Sequence, residues 1–466
     1  MSNEKGLKVY TSKPWEMIKT SFLVITWIVL GMHLEIVGPT LQVLAVQTGV
    51  STTGISDILV ARGAGYMFGN LGGALTQKVV KKYPEMLLSI SFLIASITIF
   101  ITPFITNLHL LSVVFFFQGI SQGVTDLGGT SLMLAMWADN VAAPLNVVHL
   151  GFGFGAVFTN FLVRPYLVEK SDPMIKIPYS IIGFICLLIT IGHFIFAIRE
   201  YQIKRKSLQN RPVDYTTVST KVDSNENSNE KKEKISEYSP RSCGNGYFNY
   251  GLSMSIIWIL YMFFLSGNDQ TFGKFFFTFV QKSNFSSGIS ATWFMIVYWL
   301  SYSVGRLICA ILSMFVSVPV ALSGLWVCGI ILAITWFIFV WVIKLTSLNL
   351  LILGAFTGLV FSPTFPLSFA FINQRLNVNP LLVGLLLSGA SLGAMTFQKL
   401  AGIILDAHPN QFPTILITCV ILSIIFFIIA MIISSVHQKK LPSKPKEIVY
   451  QNNEEEQIEI YLNHNQ

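Results

Sequence analysis

Charged side chains are scarce in this sequence. Only 12% of its 466 residues are Asp, Glu, Lys or Arg, whereas a soluble domain carries roughly 25%. Hydrophobic residues make up 53%, and the mean hydropathy is +0.62. One water-soluble core cannot bury that much apolar surface in a chain of this length, so the surrounding solvent must be largely lipid. The composition excludes an ordinary soluble protein and predicts an all-α membrane protein within the lipid bilayer.

Cysteines are few, and the sequence contains no recognisable enzyme motif. Of the five cysteines, Cys243 falls in a predicted loop and the others in apolar runs, which is neither a disulfide framework nor a metal-binding spacing. The GFGFG stretch at 151–155 lies inside an apolar run with no preceding strand, so it is not a nucleotide-binding loop. The sequence contains no nucleophile elbow or other catalytic pair. We therefore predict no enzyme activity and no cofactor.

Long apolar runs are abundant. A membrane-spanning helix needs ~20 mostly apolar residues, and the chain offers about twelve such runs. They lie near residues 20–46, 56–75, 85–105, 108–137, 144–168, 177–198, 250–274, 287–313, 319–343, 347–371, 380–405 and 412–435.

The polar segments divide these runs into two sets of six. Residues 199–249 are rich in Lys, Glu, Asn and Ser, a composition that is typical of disordered linkers. The predicted organisation is an N-tail, a bundle, the linker, a second bundle and a C-tail. Their bounds are 1–19, 20–198, 199–249, 250–435 and 436–466.

The positive charges predict the orientation. Most of the 31 Lys and Arg residues fall in the tails and the even-numbered loops. This asymmetry places both termini in the cytoplasm and leaves no basic stripe for nucleic acid. The sequence contains no clear retention signal, so we expect a multi-pass protein of the plasma membrane. The sequon Asn284-Phe285-Ser286 falls in a predicted outer loop and makes Asn284 a candidate glycosylation site.

Glycines repeat between the two halves. Gly119-xxx-Gly123 in the fourth run matches Gly354-xxx-Gly358 in the tenth at an offset of 235 residues. Two further matches, of Gly69 with Gly305 and of the glycines at 151 and 155 with those at 389 and 393, have nearly the same offset. Glycines let membrane helices approach closely. The pattern predicts two six-helix pseudo-repeats joined by a linker, which is the major facilitator fold, with substrate bound between the halves.

One acidic side chain interrupts the fourth run. Gln118, Gln122 and Asp126 are spaced four residues apart and share one helix face. Amides of this kind hydrogen-bond sugar hydroxyls, and a carboxylate binds a proton or a cation. We predict that Gln118 and Gln122 bind substrate and that Asp126 couples transport to an ion. The alternative is a structural contact in which Asp126 pairs with a base such as Arg62.

The first run contains a second acid. Glu35 shares a face with Gly31, Gly38 and Gln42. Pro39 should break the helix locally, and the backbone groups that a break frees are tolerated only against protein or a cavity. Glu35 is therefore a candidate ion-coupling residue, with a structural pair to Arg62 as the alternative reading.

The seventh run contains the third acid, within SGNDQTFG. Asn268 shares a face with Tyr261, and an aromatic ring beside an amide suits a pyranose, so both residues are candidate sugar contacts. Asp269 lies on the adjacent face at the depth of Lys399. We predict an Asp269–Lys399 pair that is structural and that acts as a gate if it opens. Asn160, in the fifth run, is a further candidate substrate contact.

Several motifs resemble one family. Gly123-x-x-Asp126-x-Gly128-Gly129 with Leu134-Ala135-x-Trp137 is similar to the fourth-span motif of the sodium-dependent glucose transporter family, in the fucose-permease-like branch of the major facilitators. Further motifs, and most of both halves, resemble the same group. They are Gly38-Pro39-Thr40-x-Gln42, Arg62-x-x-Gly65-Tyr66, His149-x-x-Phe152 with Gly155-Ala156, and Thr271-Phe272-Gly273.

The resemblance has functional implications, and the sequence also departs from the family pattern. The fucose permease uses the corresponding span-4 carboxylate in proton coupling, which implies that role for Asp126. The family has Asn where Thr130 stands, Glu where Asp269 stands and a small residue where Glu35 stands. These departures bear on the substrate and the coupling ion more than on the fold.

Together these features predict a secondary transporter of a neutral sugar, a hexose such as glucose, coupled to sodium or protons. A lone carboxylate with hydroxyl neighbours suits either ion, so that choice stays open. The alternatives are a sugar or polyol uniporter, in which Asp126 is merely structural, and a transporter-shaped receptor or scaffold that acts through its linker and C-tail.

Overall fold

The chain is almost entirely helical over the residues that the computed structural model describes. Those residues are 8–167, 174–209, 236, 239–286 and 288–440. No β-strand occurs among them, so the predicted all-helical class is confirmed. Residues 1–7 of the predicted N-tail, most of the predicted linker and the C-tail beyond residue 440 lie outside the described residues.

Nine helices form the N-terminal half in the described chain. They are α1 (Lys8–Thr11), α2 (Pro14–Glu35), α3 (Val37–Thr48), α4 (Thr52–Leu75), α5 (Gln77–Lys82), α6 (Pro84–Ile101), α7 (Leu108–Trp137), α8 (Ala142–Val163) and α9 (Lys176–Gln209). The α9 helix continues eleven residues past the predicted span end at 198.

Eight helices form the C-terminal half over the described residues. They are α10 (Pro240–Cys243), α11 (Phe248–Lys282), α12 (Gly288–Leu312), α13 (Val318–Ile338), α14 (Ser347–Phe361), α15 (Thr364–Asn373), α16 (Pro380–Ala407) and α17 (Pro413–Lys440). A single π-helical turn, Phe339–Ile343, follows α13.

Eleven helical segments of the described chain are long and apolar enough to cross a membrane, with α2 and α3 counted as one and α14 and α15 as another. The 24-residue α4 is outside this set, because its sequence includes Asp57, Arg62 and Asn70 among several glycines. The faces of α4 pack mainly against α7 and α16. With α4 included, the arrangement is consistent with the twelve predicted spans.

The repeated glycines form the closest helix contacts in both halves. A Cβ on Gly123 would lie 2.5 Å from the carbonyl oxygen of Tyr66, so only glycine lets α7 approach α4 this closely. In the second half a Cβ on Gly358 would lie 2.5 Å from the carbonyl oxygen of Tyr298, where α14 meets α12. The α7–α4 contact of one half therefore recurs as α14–α12 in the other, as the duplicated pattern predicted.

Two of the spans are broken near the middle of their length. The first break lies between Glu35 and Val37, and the second between Phe361 and Thr364. Pro39 and Pro363 lack the N–H that would continue each helix. At the second break Arg306 Nε donates to the freed carbonyl of Ser362 at 3.0 Å. The two breaks thus bring backbone polar groups to the region where the halves meet.

The two halves contact each other at both ends of the bundle. We call the end where α2 begins and α17 finishes the termini end, and the opposite end the far end. At the termini end Asn373 Nδ2 donates to the carbonyl of Ala138 at 3.3 Å. At the far end the backbone N–H of Thr53 donates to Asp406 Oδ2 at 2.6 Å. The structure is therefore closed at both ends around the central residues.

Candidate functional site

Charged side chains from both halves gather between the two ends. We call this set the central charge cluster, and its members are Glu35, Arg62, Asp126, Asp269, Lys274 and Arg306. All but Asp269, which is partly buried, are at most 8% exposed. The cluster holds three acids and three bases, so its formal charge balances, which matters because an uncompensated charge in a membrane costs at least ~3 kcal/mol.

Glu35 of α2 forms an ion pair with Lys274 of α11, across the two halves. The alternative pairing of Glu35 with Arg62 is wrong as a direct contact. Arg62 instead donates from Nη1 to the carbonyl of Leu34 at 3.2 Å and acts on Glu35 electrostatically.

Lys274 is the functional candidate that the sequence reading missed. The seventh span was predicted to end at this residue, which made the lysine a loop residue. The helix instead continues to Lys282, and Lys274 is only 1% exposed. The signal was present in the sequence, since the apolar run FFFTFV follows Lys274 directly.

Asp269 contacts α12 of its own half. Tyr302 donates its hydroxyl to Asp269 Oδ2 at 2.9 Å, and Arg306 Nη2 donates to the Tyr302 oxygen at 2.6 Å. Arg306 Nη1 also donates to the carbonyl of His149, in the other half. This chain of donors ties Asp269, through α12, to α8 of the N-terminal half.

The predicted Asp269–Lys399 pair is wrong. Lys399 Nζ donates to Asp57 Oδ1 at 2.5 Å and to the carbonyl of Thr53 at 2.9 Å. The prediction matched the two residues only by their depth along their helices. It could not show that Lys399 faces α4 of the other half, near the far end. Asp406 of α16, bound by Lys282 and Thr53, lies beside it at this end.

Asp126 of α7 has neutral neighbours. The Tyr66 hydroxyl and the Gln122 amide lie beside its carboxylate, and Arg306 of the other half acts on it electrostatically. Over the described chain the carboxylate makes no ion pair, so the alternative Asp126–Arg62 pair is not formed. A buried carboxylate surrounded by hydroxyl and amide groups is suited to exchange a proton or a small cation.

The other predicted amides of the N-terminal half lie inside that half. Gln118 Nε2 donates to Thr102 Oγ1 at 3.1 Å, and Asn160 Nδ2 donates to the carbonyl of Ala156 at 2.8 Å. Within the described residues Gln118 Oε1 and Asn160 Oδ1 have no hydrogen-bond partner. Gln122 is 6% exposed and is the amide placed next to Asp126.

Two predicted sugar contacts, Tyr261 and Asn268, lie on a face of α11 that packs within the C-terminal half. The Tyr261 hydroxyl hydrogen-bonds Ser368 Oγ at 2.9 Å, and its ring stacks on Trp258 with centroids 4.5 Å apart. Asn268, seven residues later on the same face, lines a small void against Phe412 and its α17 neighbours. Both side chains are therefore directed into the C-terminal bundle, away from the other half.

Unpartnered ring nitrogens occur where the halves meet. Among the described residues Trp27 Nε1, His149 Nε2 and Trp299 Nε1 are buried without a hydrogen-bond partner. The His149 ring lies 5.6 Å from those of both Trp27 and Phe365, and the Trp299 ring lies 5.8 Å from that of Phe152. Buried aromatic N–H groups usually have a partner, so these groups are available to a polar ligand.

The described residues contain no group of three His, Cys, Asp or Glu side chains that could hold a metal ion. The side chains described above can therefore form hydrogen bonds, pack aromatic rings against a ligand, and bind a proton or a small cation at a carboxylate.

Comparison with known proteins agrees with this architecture. Residues 23–374 match the model of the Major Facilitator Superfamily. Sodium-dependent glucose transporter 1 of Homo sapiens is 23% identical over 84% of this chain and 74% of its own length, and that of Xenopus laevis is 25% identical over 83% and 76%. Bypass of stop codon protein 6 of Saccharomyces cerevisiae is 22% identical over 90% and 82%.

Among solved structures, the E. coli fucose:proton symporter FucP superposes with a TM-score of 0.60 and 14% identity, covering 89% of this chain and 98% of that one. This likeness supports the fold. The family match covers most of both halves, and the glycine repeat, the broken spans and the centrally placed charges agree with it. The chain therefore belongs to the major facilitator superfamily.

Proposed function

We propose that this protein is a secondary active transporter of a neutral sugar, a hexose such as glucose, that works by alternating access and is coupled to sodium or protons. The observation that carries the proposal is Asp126, a buried carboxylate at the meeting of the halves with no ion pair in the described chain. The names of the relatives, which include sodium-dependent glucose transporters, favour the same substrate class.

Asp126 acts through its charge state. Without a bound cation its negative charge favours the state in which the cavity admits water, because a charge in a dry interior is costly. A proton or a sodium ion neutralises it and lets the halves close around the substrate. The ion drives the cycle only through its different affinity for the two states.

The sugar binds between the halves, beside Asp126. Gln122 provides an amide, and Trp27, His149 and Trp299 provide ring nitrogens that have no hydrogen-bond partner among the described residues. Aromatic rings pack against the apolar face of a pyranose while amides and N–H groups bind its hydroxyls. Asn160 is a secondary candidate through its unpartnered oxygen, whereas Gln118, Tyr261 and Asn268 are not included, because their contacts lie within single bundles.

The termini end faces the cytoplasm and the far end faces outwards, in agreement with the distribution of Lys and Arg. The plasma membrane is the proposed location. In this orientation Asn284, which is exposed after α11, remains a candidate glycosylation site on the outer side.

The test is uptake of labelled glucose, with fucose and other hexoses as competitors, into proteoliposomes under separate sodium and pH gradients. Wild type is expected to accumulate sugar under one gradient only. Asp126→Asn is expected to lose accumulation but to keep sugar exchange. Asp139→Asn, the same change at an exposed site just after α7, is the matched control and should behave as wild type.

Other results would replace the proposal. Equal, gradient-independent equilibration by wild type and Asp126→Asn would show a uniporter. Absence of sugar flux in wild type would exclude a sugar transporter. A receptor or scaffold would then be tested by deleting residues 210–235 of the predicted linker, which should abolish signalling.

A further inference from the structure

Lys274 is a buried cation in contact with the opposite half. It lies eight residues before the end of α11 and is 1% exposed, while its partner Glu35 is 2% exposed. A buried ion pair contributes little net stability, but breaking it leaves an uncompensated charge. In alternating access the halves separate at the far end, and we expect this contact between the halves to break when they do.

A second acid is available to Lys274 on its own helix. Asp269 lies five residues earlier in α11 and acts on Lys274 electrostatically. Arg62 of the other half repels the lysine. When the halves separate, the long lysine side chain therefore has a partner within the C-terminal half and does not have to remain with Glu35.

Glu35 has room for a second ligand. Lys274 binds Oε1, whereas Oε2 is buried and has no partner among the described residues. Oε2 lies beside the α11 backbone, 3.8 Å from where a Cβ on Gly273 would stand, and Trp299 borders the same point. A carboxylate with one free oxygen next to a glycine backbone is open to a proton or a small cation.

We infer that Lys274 is a tethered substitute for the transported cation. In the empty carrier Lys274 neutralises Glu35, which lets the far end close without an ion. When a cation from the outer side binds Glu35, Lys274 moves to Asp269, and the two cations are alternative partners of one carboxylate. The inference rests on the proposed function, because it presumes coupling to a cation. It adds the role of Lys274, which neutralises Glu35 and so allows the carrier to change state without substrate or ion.

The first test separates exchange from net transport in proteoliposomes. Lys274→Met leaves Glu35 uncompensated in the empty carrier. Net uptake is expected to fall about a hundredfold, the effect of an unpaired buried charge that costs ~3 kcal/mol, while sugar counterflow is retained. The double variant Glu35→Gln/Lys274→Met lacks both charges and is expected to recover net sugar flux. Lys282→Met, on the same helix but paired at the solvent-accessible far end, is the matched control.

The second test does not depend on any sugar. Spin labels at Leu110 and Leu348, exposed at the far ends of α7 and α14, report the far-end separation in a variant without native cysteines. Without sodium at high pH, wild type and the double variant are expected to show the short distance. Lys274→Met is expected to show the long distance until sodium or protons are supplied.

Two outcomes overturn the inference. One is a short distance in Lys274→Met under all ionic conditions. The other is equal loss of exchange and net flux in Lys274→Met without recovery in the double variant, which would make the lysine a structural or sugar-binding group. If wild type carries none of the sugars, the sugar proposal fails, while the spin-label result still decides the role of Lys274.

Discussion

Two buried ionic groups in this molecule use the same chemistry in different settings. In the N-terminal half Glu85 Oε2 binds His193 Nδ1 at 2.7 Å, His193 Nε2 binds Thr26 Oγ1 at 3.0 Å, and Lys19 pairs with Glu200 beside them. We call these five residues the N-half cluster. All its members belong to α2, α6 or α9 of one half.

The central charge cluster, by contrast, is divided between the halves. Its Glu35–Lys274 pair joins α2 to α11, and its Arg306 joins α12 to the carbonyl of His149 on α8. Helices of one half move together when halves rock, whereas contacts between halves must form and break. The comparison teaches that the location of a buried ionic group, more than its chemistry, decides whether it serves stability or the transport cycle.

The largest effect is expected at Arg306. Arg306→Met removes donors from His149, Ser362 and Tyr302 at once. Each buried acceptor left without its donor costs ~1–3 kcal/mol, so we expect loss of transport and a clear fall in the melting temperature. Uptake and thermal unfolding in detergent measure both.

The matched control for Arg306 is Arg164→Met. Arg164 lies 4.7 Å over the Trp293 ring at the far end and also joins the halves, but it is only partly buried. The Arg164→Met variant should retain most of the wild-type transport activity. Wild-type transport in Arg306→Met would contradict the importance of the divided cluster.

An intermediate effect, on stability alone, is expected at Glu85. Glu85→Gln replaces the carboxylate that hydrogen-bonds His193 and costs on the order of 1–3 kcal/mol, because a buried polar group loses its partner. Since the N-half cluster lies within one half, uptake per folded molecule should remain unchanged. Thermal unfolding and uptake normalised to folded protein check this. If Glu85→Gln instead changed the ion dependence of uptake without lowering the melting temperature, the functional distinction between the two clusters would be wrong.

The smallest effect is expected at the far end. Lys399→Met removes the ion pair with Asp57, whose side chain is 50% exposed. An exposed ion pair contributes only ~0.5 kcal/mol and is screened by salt. We expect a slight shift towards far-end opening that disappears at high salt, measured with the Leu110 and Leu348 labels. A large, salt-independent shift would show that this pair belongs functionally with the central cluster.

The sequence predicted the helices and halves well because its signals are local. Apolar runs mark the spans, and the glycines at 123 and 358 mark the corresponding close helix contacts in the two halves. Even so, α4 lacks the apolarity of the other spans, and the end of α11 was placed eight residues too early. That second error hid Lys274, because a lysine assigned to a loop gives no reason to look for a partner.

The predicted site was less accurate because a site depends on which faces meet. Asn268 and Asp269 are neighbours in sequence, yet the first faces α17 and the second faces Tyr302 of α12. Helix periodicity groups residues into faces but does not say which neighbour each face meets. Trp27 went unnoticed for the same reason, since one tryptophan in an apolar span is ordinary until its ring nitrogen proves to have no partner in the part of the chain that the structure describes.

By itself the sequence determined that this protein crosses a membrane as two related helical bundles, and that three acids had to be accommodated inside them. Those conclusions follow from the cost of placing polar groups in lipid, which acts on every residue wherever its neighbours are. Only the tertiary structure decided that Glu35 meets Lys274, that Asp126 meets Tyr66 and Gln122, and that Lys399 meets Asp57. Such pairings depend on the rotation and depth of each helix against its neighbours, which packing between distant parts of the chain sets.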